Sequence, residues 1–191
     1  LDAGRFSEAE AELREAIRLD PTDANGHVRL GAALASQGRL DEAIEPFRRT
    51  LALRPGDADA HRSLGRLYAE RREDALAVAH LGAAVDAVGD DPRLLAPLAA
   101  ILAESSDPAV RDPERAVPLA TRAAAATGRR DAAVLEVLSV TQAAAGRGIE
   151  ALETATEALD VARGQGHRTL ADRLERRVAA LRAAVAAAPH K

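Results

Sequence analysis

The sequence predicts an all-α chain, an α-solenoid of helix-turn-helix units closed by a C-terminal capping helix. Three observations carry that expectation. The stretch Gly31–Pro55, GAALASQGRLDEAIEPFRRTLALRP, reads as two helical patterns meeting at a tight turn, and it recurs with a period of 34 residues; recurrence of this kind marks stacked repeats. Apolar side chains fall at helical spacing on both sides of the turn: Leu30, Ala33, Leu34 and Ala35 before it, Leu40, Ala43, Ile44, Phe47, Leu51 and Leu53 after it. Bulk is scarce. Hydrophobic residues are 47% of the 191, but aromatics only 2% (Phe6, Phe47, Tyr68), so the helices are expected to approach closely through alanine.

Taken in order, residues 1–23 hold only the second helix of a first unit, from Ser7 to Leu19, with Ser7 and Glu10 forming a capping-box pattern at its start. Residues 24–57 are a complete unit, ending at Pro55. In 58–91, Leu64-Gly65, His61 and Tyr68 align with Leu30-Gly31, His27 and Leu34. There the turn glycine becomes Arg72 and the terminal proline Gly89, while Ala77, Leu81 and Ala84 keep the register. The unit 92–130 diverges: Asp91-Pro92 starts a helix to Glu104, with proline at its first position. A long loop then runs from Ser105 to Pro113, and Ala116, Ala120 and Ala123 follow. The unit 131–163 carries Leu135, Leu138, Gly146, Ala151, Ala155 and Ala158. After Gly164-Gln165-Gly166, an amphipathic helix over 167–187 places Leu170, Leu174, Val178, Leu181 and Val185 on one stripe, as a terminal cap requires. Pro46, Pro97 and Pro118 fall inside expected helices, each removing one backbone bond and predicting a kink.

The pattern resembles the tetratricopeptide repeat family, whose signature is W-x2-L-G-x2-Y, A-x3-F and P. The unit 24–57 keeps Leu30-Gly31, the turn Gly38, Ala43-x3-Phe47 and Pro55; His27 stands for the tryptophan and Leu34 for the tyrosine. The resemblance implies a right-handed solenoid forming one repeat domain over 1–191. It also implies a groove lined by positions 2, 5, 9, 12 and 13 of each first helix. Those positions are mostly small, among them Val28, Ala32, Ala96 and Ala103. The candidate partner-binding residues, chosen from the polar ones, are Asn25, Arg62, Arg66, Glu70, Arg93 and Glu136. Arg62 and Arg66 share one helix face, with Arg93 expected beside them, and guanidinium forks of this kind bind carboxylates. The competing reading pairs Arg66 with Glu70 on a solvated helix. The lysine-asparagine set of chaperone-binding members and the position-6 asparagine of the glycosyltransferase members are both absent.

Composition narrows the chemistry. The formal net charge is −4, and acidic and basic residues are evenly mixed, which leaves no electrostatic footprint for nucleic acid. With 26 basic residues of which only Lys191 is lysine, the arginine excess reads as coding bias. There is no cysteine, hence no disulfide or thiolate site. His27 and His61 share a repeat position but would stand about 10 Å apart, too far for one metal ion. No nucleophile elbow or phosphate-binding glycine loop occurs. No catalytic residue, cofactor or metal is therefore expected. No apolar run reaches membrane-spanning length, so the expectation is a soluble segment, with a cytoplasmic setting favoured over others. Methionine is absent, so the numbering reads as that of a fragment.

The functional expectation is a non-catalytic scaffold that binds a peptide or partner segment, acidic or ending in a free carboxylate. The alternative is a non-catalytic region of a larger enzyme, such as a glycosyltransferase or sulfotransferase. A stripe on the first helix (Phe6, Ala9, Leu13, Ala16, Ile17) lacks its covering helix, which adds self-association as a third expectation.

Overall fold

The computed structural model describes the backbone of residues 2–187 and the side chains of 8–187. Ten helices and no strand occur among the described residues, as the all-α expectation requires. They are α1 (Asp2–Leu19), α2 (Ala24–Ser36), α3 (Leu40–Leu53), α4 (Ala58–Glu70), α5 (Asp74–Val88), α6 (Pro92–Glu104), α7 (Pro113–Ala126), α8 (Ala132–Ala144), α9 (Gly148–Gly164) and α10 (Arg168–Ala187). They fall into two compact units, Leu1–Gly89 and Asp90–Lys191. In the first, α1 packs on the hairpin α2–α3, and α3 on the hairpin α4–α5. In the second, the hairpins α6–α7 and α8–α9 stack on each other, and α10 lies on α9.

Aspartate sets where the first helices begin. Asp23, Asp57, Asp91 and Asp131 each cap the helix that follows by accepting a backbone N–H, from Asn25, Ala60, Arg93 and Ala133. Three of the four stand at the 34-residue period. Each cap is worth about 1 kcal/mol.

Alanine sets how closely the second helices approach. The fourth residue of α3, α5, α7 and α9 is Ala43, Ala77, Ala116 and Ala151, and all four are 0% exposed. The eighth residue of each second helix faces the eighth of its own first helix, and their sizes trade off along the chain. Gly31 opposes Phe47, and a Cβ on it would lie 2.8 Å from the ring. Gly65 opposes Leu81, where a Cβ would lie 2.6 Å from Cγ. In the second unit the same register gives Ala99 with Ala120 and Ser139 with Ala155, all 0% exposed. Ser139 also donates its hydroxyl to the Ala151 carbonyl at 2.8 Å. Glycine against a large side chain gives way to two small residues, so the helix separation is kept while the chemistry changes.

The turns use the left-handed region. Gly38 (φ 75°) and Gly146 (φ 76°) supply it without steric cost. Arg72 takes the same turn at φ 61°, so the loss of the glycine leaves the turn in place and strains an arginine. α1 begins at Asp2 and runs through Ser7, so the expected cap at Ser7 is corrected: the capping-box spacing lies inside the helix. Helices α3, α6 and α7 run through Pro46, Pro97 and Pro118 without interruption.

Candidate functional site

Packing consumes positions 4, 7, 8 and 11 of the first helices: in α4 these are His61, Leu64, Gly65 and Tyr68. The face left over is the one on which the candidate groove residues lie. In α2, Asn25, Ala32 and Ser36 are exposed and Val28 and Ala35 partly so. In α4, Asp59, Arg66 and Glu70 are exposed and Arg62 and Ala69 partly so. In α6 the expected groove is narrower, because Ala96 (8%) and Ala103 (1%) are buried and serve the core.

Each polar groove candidate has a partner within its own unit. Asn25 accepts from Arg54 Nη1 at 2.9 Å. Arg62 Nη2 donates to Asp59 Oδ1 at 2.6 Å. Arg66 and Glu70 stand 3.9 Å apart, the loosest of these pairs. Arg93 forks onto Asp91, with Nη2 2.7 Å from Oδ2. Glu136 is held by Arg173 of α10, whose Nε donates to Oε1 at 2.7 Å, and its side chain is only 13% exposed. That carboxylate raises the pKa of Arg173, chiefly through the hydrogen bond. Glu136 therefore joins the cap to α8. On α4, by contrast, Arg66 is 63% exposed and loosely tied, so an incoming carboxylate competes with little.

The arginines that composition alone assigned to coding bias include a recurring tie. Arg39 donates from Nη1 to Glu10 on α1 at 2.5 Å, Arg71 reaches Asp41 on α3, and Arg147 reaches Glu114 on α7 at 2.8 Å. In each case an arginine at a hairpin's turn reaches back to the second helix before it. Two hydrogen bonds from Arg39 and Arg14 hold Glu10 below the usual carboxylate range. The signal was the regular placement of arginine next to the turns at 38, 72 and 146.

A second feature had no counterpart in the repeat pattern. Between α1, α2 and α3 lies a cleft of about 630 Å³, floored by Ile17, Leu30, Leu34 and Pro46 with His27 beside them. Next along the chain, His61, Tyr68 and His80 form a ring cluster. His61 Nε2 donates to the Pro55 carbonyl at 2.9 Å, and its Nδ1 lies 3.0 Å from His80 Nδ1. A carbonyl only accepts, so His61 carries its proton on Nε2, and His80 donates between the two Nδ1 atoms. Burial first, then the neighbouring His61 and Arg48, push the His80 pKa down. No group of three or more His, Cys, Asp or Glu able to hold a metal occurs among the described residues. No helix of the described residues is long and apolar enough to cross a membrane.

On the α1 stripe, Ala9 and Ala16 are exposed and Leu13 and Ile17 half-buried; the side chain of Phe6 lies outside the described residues. Ile17 is partly covered after all, because a Cβ on Gly26 of α2 would lie 3.3 Å from its Cγ1.

Comparison with known proteins agrees with this architecture. Two family models described as tetratricopeptide repeat match residues 1–58 and 34–101. No curated protein matches the chain in sequence. Among solved structures, a crystal structure of MamA protein is similar at 16% identity, over 86% of this chain and 87% of that one, with a TM-score of 0.74. A MamA structure from Desulfovibrio magneticus RS-1 is 23% identical over 86% of this chain and 90% of that one, with a TM-score of 0.73. The crystal structure of YrrB, described as a TPR protein with an unusual peptide-binding site, is 18% identical over 88% and 91%, with a TM-score of 0.67. At these identities the likeness is one of fold.

Proposed function

The chain belongs to the tetratricopeptide repeat family, and from that premise we propose that it is a non-catalytic scaffold binding a peptide along its first helices. The observation that carries this reading is the division of labour within α2 and α4. The positions that pack are buried, or half-buried at His61, and the face bearing Asn25, Arg62, Arg66 and Glu70 contributes nothing to the core. YrrB, similar in fold, is described as having a peptide-binding site. The ligand chemistry follows from Arg62 and Arg66, one turn apart on α4: an acidic segment or a free C-terminal carboxylate.

Fluorescence anisotropy tests this with an acidic peptide that lacks aromatic residues and ends in a free carboxylate. Binding should saturate, weaken with salt, and fall at least about tenfold in the Arg62→Glu/Arg66→Glu variant, the size of a lost charged hydrogen bond. No saturable binding, or equal binding by the variant, rejects the clamp.

Self-association through α1 is a separate proposal, carried by the exposed Ala9 and Ala16 and the half-buried Leu13. Sedimentation should show a concentration-dependent dimer that Leu13→Glu abolishes; a monomer at every concentration rejects it.

A further inference from the structure

The hairpin α4–α5 fills a space that α2–α3 leaves open. Shifted by 34 residues, the cleft residues Ile17, His27, Leu34 and Pro46 become Leu51, His61, Tyr68 and His80. In the later copy the His80 ring is the plug. Tyr68 stacks on it with centroids 5.5 Å apart and planes at 17°, and His61 Nδ1 meets it at 3.0 Å. The two first-helix histidines are held alike: His27 Nε2 lies 3.1 Å from the Pro21 carbonyl, as His61 Nε2 lies 2.9 Å from that of Pro55. His27 therefore also keeps its proton on Nε2 and presents Nδ1 as an acceptor. For His61, the plug satisfies that acceptor. For His27, Pro46 stands where the plug would be, and no hydrogen bond reaches Nδ1 among the described residues.

We propose that this cleft docks a peptide segment of a partner protein through one donor-bearing aromatic side chain, a phenol or an indole. The inserted ring lies against Leu34 as His80 lies against Tyr68, and its O–H or N–H donates to His27 Nδ1. Two observations choose this occupant: the ring that fills the same space one unit later, and the acceptor that His27 presents here. The acceptor calls for a donor, which a phenylalanine ring lacks. The charges around the cleft are balanced: Arg14 is held by Glu10 at 2.9 Å, Arg18 by Glu15 at 2.7 Å and Glu42 by Arg39 at 2.6 Å, which leaves Arg49 against Glu45. Charge therefore does not choose the residues flanking the ring, and the choice rests on the ring's own donor. Its volume of about 630 Å³ lies within the range of small-ligand sites. The cleft uses the His27, Leu30 and Leu34 face of α2, whereas the proposed groove uses Asn25, Val28 and Ala32, so the two sites are independent.

The test is NMR titration of the isotope-labelled chain, following the His27 ring and the α1–α3 amides. The probes are the blocked dipeptides N-acetyl-Glu-Tyr-amide and N-acetyl-Glu-Trp-amide. N-acetyl-Glu-Phe-amide serves as the control. Saturable shifts at His27 are expected with the first two, about fivefold weaker with the phenylalanine control, the loss of one hydrogen bond. The Leu34→Tyr/Pro46→His variant installs the plug and should abolish the shifts, while Pro46→Ala, which removes only the proline, should keep them. If the plugged variant does not fold, His27→Leu replaces it and should give the same loss. No saturable shift at His27, equal shifts from the phenylalanine control, or shifts that survive the plug overturn the proposal.

Discussion

Adding one methyl group at Gly65 tests the size trade between facing helices most sharply. A Cβ there would lie 2.6 Å from Leu81 Cγ, 2.9 Å from Cδ2 and 3.1 Å from the backbone nitrogen of Leu81. The side-chain atoms can turn away; the backbone nitrogen can move only with α5. Overpacking of this kind costs about 1–3 kcal/mol, and replacing glycine by alanine within a helix returns about 1 kcal/mol. Gly65→Ala should therefore be destabilising by about 0–2 kcal/mol net. Leu81→Ala alone removes a side chain that is 2% exposed and should cost about 2–5 kcal/mol. The double variant reproduces the Ala99–Ala120 pair of the second unit, so the new methyl occupies part of the vacated space. The two changes should couple favourably by about 1–2 kcal/mol. Urea unfolding followed by circular dichroism measures all four corners of the cycle, with the m-value checked for constancy. Gly31→Ala is the milder comparison, because the three atoms nearest its Cβ are ring atoms of Phe47, at 2.8–3.0 Å, and none is backbone. Additivity within about 0.5 kcal/mol would refute the argument.

Three further outcomes follow from single residues. Arg72→Gly should raise stability by about 1 kcal/mol by relieving the left-handed φ of 61°, whereas Gly38→Ala should lower it by a similar amount; thermal melts of the pair decide. Gln142 stands at the first-helix position held by Leu34, Tyr68 and Leu102, and its buried Oε1 has no hydrogen-bond partner. Gln142→Leu should stabilise by about 1–2 kcal/mol, and an unchanged midpoint would contradict that. His80, facing His61, Tyr68 and Arg48, has its pKa lowered below the ordinary value of 6.5. The unfolded chain therefore binds the proton more readily, so this contribution is complete above about pH 6.5 and is lost as pH falls through the lower folded value. His80→Phe should remove that part of the pH slope of stability.

The register of the second helices was legible because the same residue recurs at one position of each unit. Ala43, Ala77, Ala116 and Ala151 stand in the sequence where the structure buries them. The exposure of Asn25, Arg66 and Glu70 was legible in a similar way, since positions follow from period and phase. What resisted reading was whatever breaks repetition or depends on distant partners. His80 aligns with Pro46, so no repeat position announces a ring cluster. Arg72 hides a glycine-like turn behind a residue that seldom adopts it. Glu136 lies in groove register, yet α10 brings Arg173 to it from 37 residues away. The capping box at Ser7 is a short-range signal, and it was outweighed by helix-compatible residues before it.

The first-helix face is the proposed site for an acidic segment. Amide chemical-shift mapping with the aromatic-free acidic peptide locates the bound face. Saturable perturbations clustered on α4 around Arg62, Arg66 and Ala69 are expected. Perturbations confined to other helices, or none at saturating peptide, would contradict the proposal.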